Sequence, residues 1–272
     1  MRNAIRVGAV NYLNSKPLIE RLTEFAPTID LSLDLPSRLA EQLSAGQIDV
    51  GLIPVVEFFR GNNYTFIPNI AVASRGPVLS VTLFSRVPWP EVRSVALDEG
   101  SRTSAALTQI LLRKKHGLRP RFEQLPIDSP AEDVATDALL LIGDRAMHAC
   151  LPGHRFAYDL GQEWTDWTGL PFVYAVWAIR EGIELGEVEQ AFQQAKDYGV
   201  THAGRIAQRE AANLNLDPGF CRRYLTNIIH YDLGERELAG LNRYRELAAE
   251  LGLIPRGTRD VRDHRPHLVE SR

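Results

Sequence analysis

The chain has 272 residues, 44% of them hydrophobic and 24% charged, enough apolar material for one large domain or two lobes with a sizeable core. Lys and Arg total 31 against 34 Asp and Glu, a formal net charge of -3, and the lack of a basic field argues against a nucleic-acid partner. Cys150 and Cys221 lie 71 positions apart without metal-ligand spacing, which excludes a disulfide scaffold or a zinc module. The longest N-terminal apolar run, Val7 to Val10, is too short for a secretory signal, and no stretch approaches the roughly 18–20 apolar residues that span a bilayer. A cytoplasmic protein without a membrane partner is expected.

In chain order, Ile5 to Val10 predicts a buried strand ending in the polar turn Asn11-Tyr12-Leu13-Asn14. Pro17 then suits a first helical turn, with Leu18, Ile19 and Leu22 on one face. Leu31 to Leu35 reads as a second strand. Pro36 and Ser37 open a helix whose stripe is Leu39, Ala40 and Leu43 and whose end is Gly46. Ile48 to Val56 continues as a strand. Residues 78–85, VLSVTLFS, alternate clearly, with Ser80, Thr82 and Phe84 on one face.

A second set of elements follows Pro88 and Pro90: a strand over Val92 to Leu97, a helix from Ser101 to Lys115 with basic residues at its C-terminal end, and a strand over Ala138 to Ile142. Met147 begins a shorter helix. Pro171 to Arg180 is a long strand carrying the chain out of this region. Helices are expected from Glu187, over Ala203 to Asn213, Asp217 to Thr226 and Glu235 to Leu251. The pattern predicts an α/β protein of two lobes with a hinge and an interlobe cleft, the crossings lying near 85–91 and 172–180. One lobe takes residues 1–86 with 178–255, the other takes 87–177, and 256–272 form a frayed tail.

Nucleotide-loop, dinucleotide, nucleophile-elbow and zinc-protease motifs are absent from the sequence, and its seven histidines show no metal-ligand pairing. Polar residues at strand ends stand out instead. Asn14 and Ser15 follow the first strand and precede a helix; they serve either as a cap or as an amide aimed into the cleft. In DEGSRTS, residues 98–104, Gly100 and the hydroxyls of Ser101, Thr103 and Ser104 sit where the long helix starts. They are either caps or, with Arg102, a receptor for a carboxylate or phosphate. Ser80 is a small polar residue in an apolar strand. Glu57 and Asp144 follow apolar strands and either bond a nearby cap or line the cleft. Trp164, Trp167 and the TGLPF stretch could wall a ring-shaped ligand or fill a core.

Six blocks occur in a specific order: NYLNSKPL, PSRLAEQLSAGQIDVGLIPVVEF, GPVLSVTLFS, SRTSAALTQILL, LLIGDRA and DLGQEWTDWTGLPFVYAVWAIR. Over about residues 5–250 they resemble the chorismate dehydratases of the futalosine route to menaquinone. The resemblance implies a type II periplasmic-binding-protein fold and a lyase that removes water from chorismate to give 3-[(1-carboxyvinyl)oxy]benzoate, with neither a metal nor an organic cofactor. It also implies Asn14 and Ser80 as catalytic residues, Ser101, Arg102, Thr103 and Ser104 as a carboxylate-binding loop, and Thr168 and Gly169 as cleft-facing residues. Tyr12 and Lys16 fall where the family pattern is loose. Two alternatives remain. One is an enzyme like 1,4-dihydroxy-6-naphthoate synthase of the same pathway, which would need a histidine such as His148 or His154, both outside the matched blocks. The other is a non-catalytic protein that binds small anions. Monomer and homodimer are both compatible with this sequence.

Overall fold

A computed structural model describes residues 4–61 and 63–261. The first part of the chain forms β1 (Ile5–Val10), α1 (Lys16–Ile19), α2 (Leu22–Phe25), β2 (Ile29–Asp34), α3 (Pro36–Ser44), β3 (Val50–Pro54), α4 (Val55–Arg60) and β4 (Thr65–Ser74). Next come β5 (Val81–Ser85), β6 (Ser94–Asp98), α5 (Thr103–Ile110), β7 (Arg121–Leu125), β8 (Ala138–Ile142), α6 (Gly143–His148), β9 (Phe156–Asp159) and α7 (Leu160–Thr168). The last part holds β10 (Phe172–Ile179), α8 (Val188–Thr201), α9 (Ala203–Leu214), α10 (Pro218–Arg223), β11 (Ile229–His230) and α11 (Glu235–Glu250).

Two sheets organise these elements. The first runs β11-β4-β10-β3-β1-β2 and the second β7-β6-β8-β5-β9. Strand β1 pairs in parallel with β2 and β3, setting Val7 opposite both Leu31 and Val50. Strand β6 pairs in parallel with β7 and β8, whereas β5 and β10 run antiparallel to their neighbours. Near-continuous apolar runs such as VGLIP and ALLLI occupy central strands because helices cover both faces. A side chain at Gly8 would come within 2.6 Å of Leu39 Cδ2, so glycine lets α3 lie close on β1.

Sheet membership moves the expected crossings. β5 hydrogen-bonds with β8 and β9, so the chain changes sheets before Val81 rather than after residue 86. β10 belongs wholly to the first sheet, so the return precedes Phe172 rather than residue 178. Strands β4, β7, β9 and β11 and helices α4 and α7 escape the sequence pattern. β4 is interrupted by Pro68 and by Asn69 in left-handed backbone, which spoils its alternation. β7 and β9 are edge strands with little apolar content. α7 has only Leu160, Gly161 and Trp164 buried but is capped at both ends, by Asp159 and by left-handed Gly169.

The helix expected over 101–115 and the one over 217–226 each widen at their ends into a single π turn, Leu111–Lys115 and Tyr224–Ile228. Met147 lies near the end of α6, not at its start. Part of the expected frayed tail is packed. Arg245 donates to the Thr258 carbonyl at 2.8 Å, Asn242 donates to Asp260 at 2.9 Å, and Val261 is buried. Residues 262–272 of that tail lie outside the described residues.

Away from the strand ends that form the site, one carboxylate ties three strands together. Asp49, just before β3, accepts from Arg6 Nη2 and Arg180 Nη2, both at 2.7 Å, and from the Arg6 backbone at 3.0 Å. The Arg6 hydrogen bond, with Arg180 adding to it, holds the Asp49 carboxyl well below the usual carboxylate range. The folded state thus keeps this charge where the unfolded chain already binds a proton. Its contribution is complete above the ordinary aspartate pKa of about 3.9 and is lost as pH falls further. Asp49→Asn is expected to lower the neutral-pH Tm by a few degrees. Thermal melts should also show the variant losing Tm less steeply than wild type between about pH 5 and pH 3.

Candidate active site

The carboxyl ends of the parallel strands β1, β3, β6 and β8 converge on one cavity, which is also where open α/β sheets commonly bind ligands. Strand ends supply its walls. Val10, Tyr12 and Asn14 follow β1; Gly100 through Ser104 follow β6; Ile142 and Gly143 close β8. The antiparallel strands enter from the other direction and bring Ser80, just before β5, Val81 at its start, and Tyr174 and Ala175 from β10. Both sheets therefore contribute to a single chamber. Among the described residues, Arg102 is the one charged side chain lining it, and no histidine does.

Asn14 and Ser80, 66 positions apart in sequence, are joined through a third residue. The Tyr224 hydroxyl donates to Ser80 Oγ at 2.8 Å and also shares a hydrogen bond with the Asn14 side chain. Asn14 lies inside the 3-10 turn Leu13–Ser15, whereas Tyr12 and Ser15 hold the cap positions, so its reading as a helix cap falls away. Ser15 does the local work instead, its hydroxyl donating to the Val10 and Tyr12 carbonyls. Ser80 lies just before β5 rather than within it. The preceding turn is gripped by Asp159, which accepts the Val78 N–H at 2.9 Å and the Leu79 N–H at 2.7 Å while Leu79 sits in left-handed backbone.

The start of α5 is open. No side chain caps it, so its first N–H groups lack intrahelical partners and face the chamber with their partial positive charge. Ser101 lines the chamber, and its buried Oγ has no hydrogen-bond partner among the described residues. Arg102 Nη2 bonds Glu41 of α3 at 3.0 Å, while its buried Nε is unpaired. Thr103 differs. Its hydroxyl donates to the Tyr174 carbonyl at 3.2 Å and accepts the Val56 N–H at 3.3 Å, so it fastens α5 to the first sheet and offers only its backbone to a ligand. Ser104 is buried at the same end. Uncapped N–H groups, Ser101 Oγ and Arg102 together form a receptor suited to a carboxylate.

Tyr12 spans the chamber between the sheets. Its ring would lie 3.1 Å from a Cβ built on Gly143, whose φ is 57°, so this position needs glycine on both counts. Burial pushes the Tyr12 phenol above its usual range, with Asp98 and Asp144 adding to the shift, so it stays protonated.

Four expected positions lie elsewhere. Thr168 donates to the Trp164 carbonyl at 2.9 Å and Gly169 caps α7, so both finish a helix rather than line the chamber. Glu57 pairs with Arg60 at 2.7 Å on its own helix. Asp144 is next to lining Gly143 but does not itself line the chamber; burial raises its carboxyl, and its Oδ1 is unpaired. Trp164 is core: wholly buried, it donates to the Pro171 carbonyl at 3.1 Å and meets Trp167 edge-on. Tyr224 carries no distinguishing signal in the sequence, being a lone tyrosine in a helical stretch.

Fold and chamber define a periplasmic-binding-protein-like architecture. The periplasmic aliphatic sulphonate binding protein of Escherichia coli superposes with a TM-score of 0.67 at 18% identity, covering 100% of this chain and 95% of that one. A protein of Archaeoglobus fulgidus does so with a TM-score of 0.78 at 17% identity, covering 93% and 99%. Within that architecture the chain belongs to the family described as "Menaquinone biosynthesis", whose model matches residues 5–250. A relative from Thermus thermophilus named chorismate dehydratase is 33% identical over 234 residues, covering 78% of this chain and 84% of that one.

The free Ser101 hydroxyl makes a direct test. Ser101→Ala removes no internal bond, so Tm should change little. The Kd for 3-[(1-carboxyvinyl)oxy]benzoate, the product that the resemblance implies, should rise about tenfold by calorimetry for one lost hydrogen bond to a charged group.

Proposed function

We propose that this chain is a chorismate dehydratase, a hydro-lyase that converts chorismate to 3-[(1-carboxyvinyl)oxy]benzoate and water in menaquinone biosynthesis, and that it acts in the cytoplasm. Family membership and the similarity to the Thermus thermophilus relative support the activity. The observation that carries it to the site is the meeting of Asn14, Ser80 and the uncapped start of α5 around one chamber. Among the described residues no helix is long and apolar enough to cross a membrane, and both cysteines are free.

The chemistry suits neutral donors. Chorismate carries two carboxylates, and the α5 receptor with Arg102 holds one of them without a strongly basic surface. Loss of the C3 hydrogen and the C4 hydroxyl makes the ring aromatic, so the overall step runs strongly downhill. A substrate carboxylate takes the C3 proton, the C–H electron pair becomes the new ring double bond, and the C4–O bond breaks. The carboxyl group passes that proton to the departing C4 oxygen, which leaves as water and restores the carboxylate. Asn14 and Ser80 act as hydrogen-bond donors that orient the substrate and stabilise the charge shifting during the step. The buried phenols Tyr12, Tyr174 and Tyr224 are all raised, chiefly by burial, which suits them to shape and hydrogen-bond donation rather than to proton abstraction.

Neither histidine required by a naphthoate-synthase-like reading lines the chamber: His148 lies on α6 and His154 in the loop before β9. Incubating the purified chain with chorismate is expected to yield the aromatic product by chromatography. Asn14→Ala should lower kcat by about 10²–10³-fold while product binding changes little. Unchanged chorismate with the wild-type chain would overturn the assignment, and a wild-type kcat in Asn14→Ala would overturn the role of that amide.

A further inference from the structure

Tyr224 sits in the widened turn after α10, 144 positions from Ser80, and does not itself line the chamber. We infer that Tyr224 is a positioning residue: its phenol holds the Ser80 hydroxyl and the Asn14 amide in the orientations that present both to the substrate. The inference rests on the dehydratase reading above and adds a residue to it.

The direction of the bonds carries the argument. A serine hydroxyl has one proton and can rotate to give it to any nearby acceptor. Because the Tyr224 O–H donates to Ser80 Oγ at 2.8 Å, one of that oxygen's acceptor positions is filled, and its own proton remains for a partner in the chamber. The same phenol shares a hydrogen bond with the Asn14 side chain, so one group sets the orientation of two others. Tyr224 is held firmly enough to do this. It is completely buried, stacks on Phe220 with 6.2 Å between centroids, and follows a backbone that widens to bond Ile229 N–H to the Tyr224 carbonyl. Such π turns recur at functional sites because they re-aim a single side chain. Burial, reinforced by Asp144 and Asp159, keeps the phenol protonated, so it remains a donor and is not the base.

Tyr231 supplies an internal comparison. It is equally deep in the protein, yet its hydroxyl has no hydrogen-bond partner among the described residues. Steady-state kinetics with chorismate should show Tyr224→Phe lowering kcat about 30-fold with KM within about threefold, whereas Tyr231→Phe leaves both unchanged. A double-mutant cycle then separates positioning from packing. If Tyr224 acts in part through Ser80, adding Tyr224→Phe to Ser80→Ala should cost clearly less than the 30-fold it costs in the wild-type chain, the remainder falling on Asn14. A wild-type kcat in Tyr224→Phe, or a full 30-fold further loss in the double variant, overturns the inference. If Tyr224→Phe alone does not fold, the double variant leaves neither hydroxyl partner stranded and carries the same comparison. Failure of the wild-type chain to convert chorismate would instead sink the dehydratase reading itself.

Discussion

A single half-buried carboxylate sets the geometry on which the chamber depends. Asp159 ends β9 and caps α7 by accepting the Gln162 N–H at 3.0 Å, and it also takes the N–H groups of Val78 and Leu79 where the chain passes from the first sheet to the second. Those bonds hold Leu79 in left-handed backbone, a conformation that a branched side chain adopts only when its surroundings enforce it. Immediately afterwards comes Ser80, whose carbonyl accepts the Gly143 N–H at 2.8 Å. Backbone bonds therefore fix this serine from both sides, and the Tyr224 phenol fixes its hydroxyl. Burial pushes the Asp159 carboxyl up while its N–H donors pull it back. Its value lies in placing a turn rather than in net stability.

The same economy of charge runs through the chamber. A dianionic ligand would ordinarily call for lysines and arginines, yet Arg102 is the one charged side chain lining the chamber among the described residues. Uncapped helix N–H groups, hydroxyls and an amide replace bulk water with dipoles already oriented, which costs little reorganisation when charge moves during the reaction. Arg102 also bonds Glu41 of α3, and Thr103 bonds the Tyr174 carbonyl, so the anion receptor of the second sheet is fastened to elements of the first.

Much of this was legible in the sequence where local pattern and tertiary role coincide. VGLIP and ALLLI are apolar enough to read as central strands, and Pro36 and Gly46 bracket a helix by their backbone preferences alone. The polar residues at strand ends were also visible, because Asn14, Ser80 and Ser101 interrupt apolar runs, although only cap positions and capping bonds in the fold distinguish a receptor from a cap. Other features depend on partners far along the chain. β7 is polar and exists through its pairing with β6; Thr168 and Gly169 look like pocket residues but complete α7; and Tyr224 gains its role from Ser80 and Asn14. No local window contains that information.

The account turns on where the aromatic product sits. A crystal structure of the complex with 3-[(1-carboxyvinyl)oxy]benzoate should show one carboxylate on Ser101 Oγ and the first N–H groups of α5. The ring should lie between Tyr12 and β10, with the Asn14 amide and Ser80 hydroxyl within hydrogen-bond reach of it. Product bound outside this chamber, or within it but out of reach of both Asn14 and Ser80, would contradict the account.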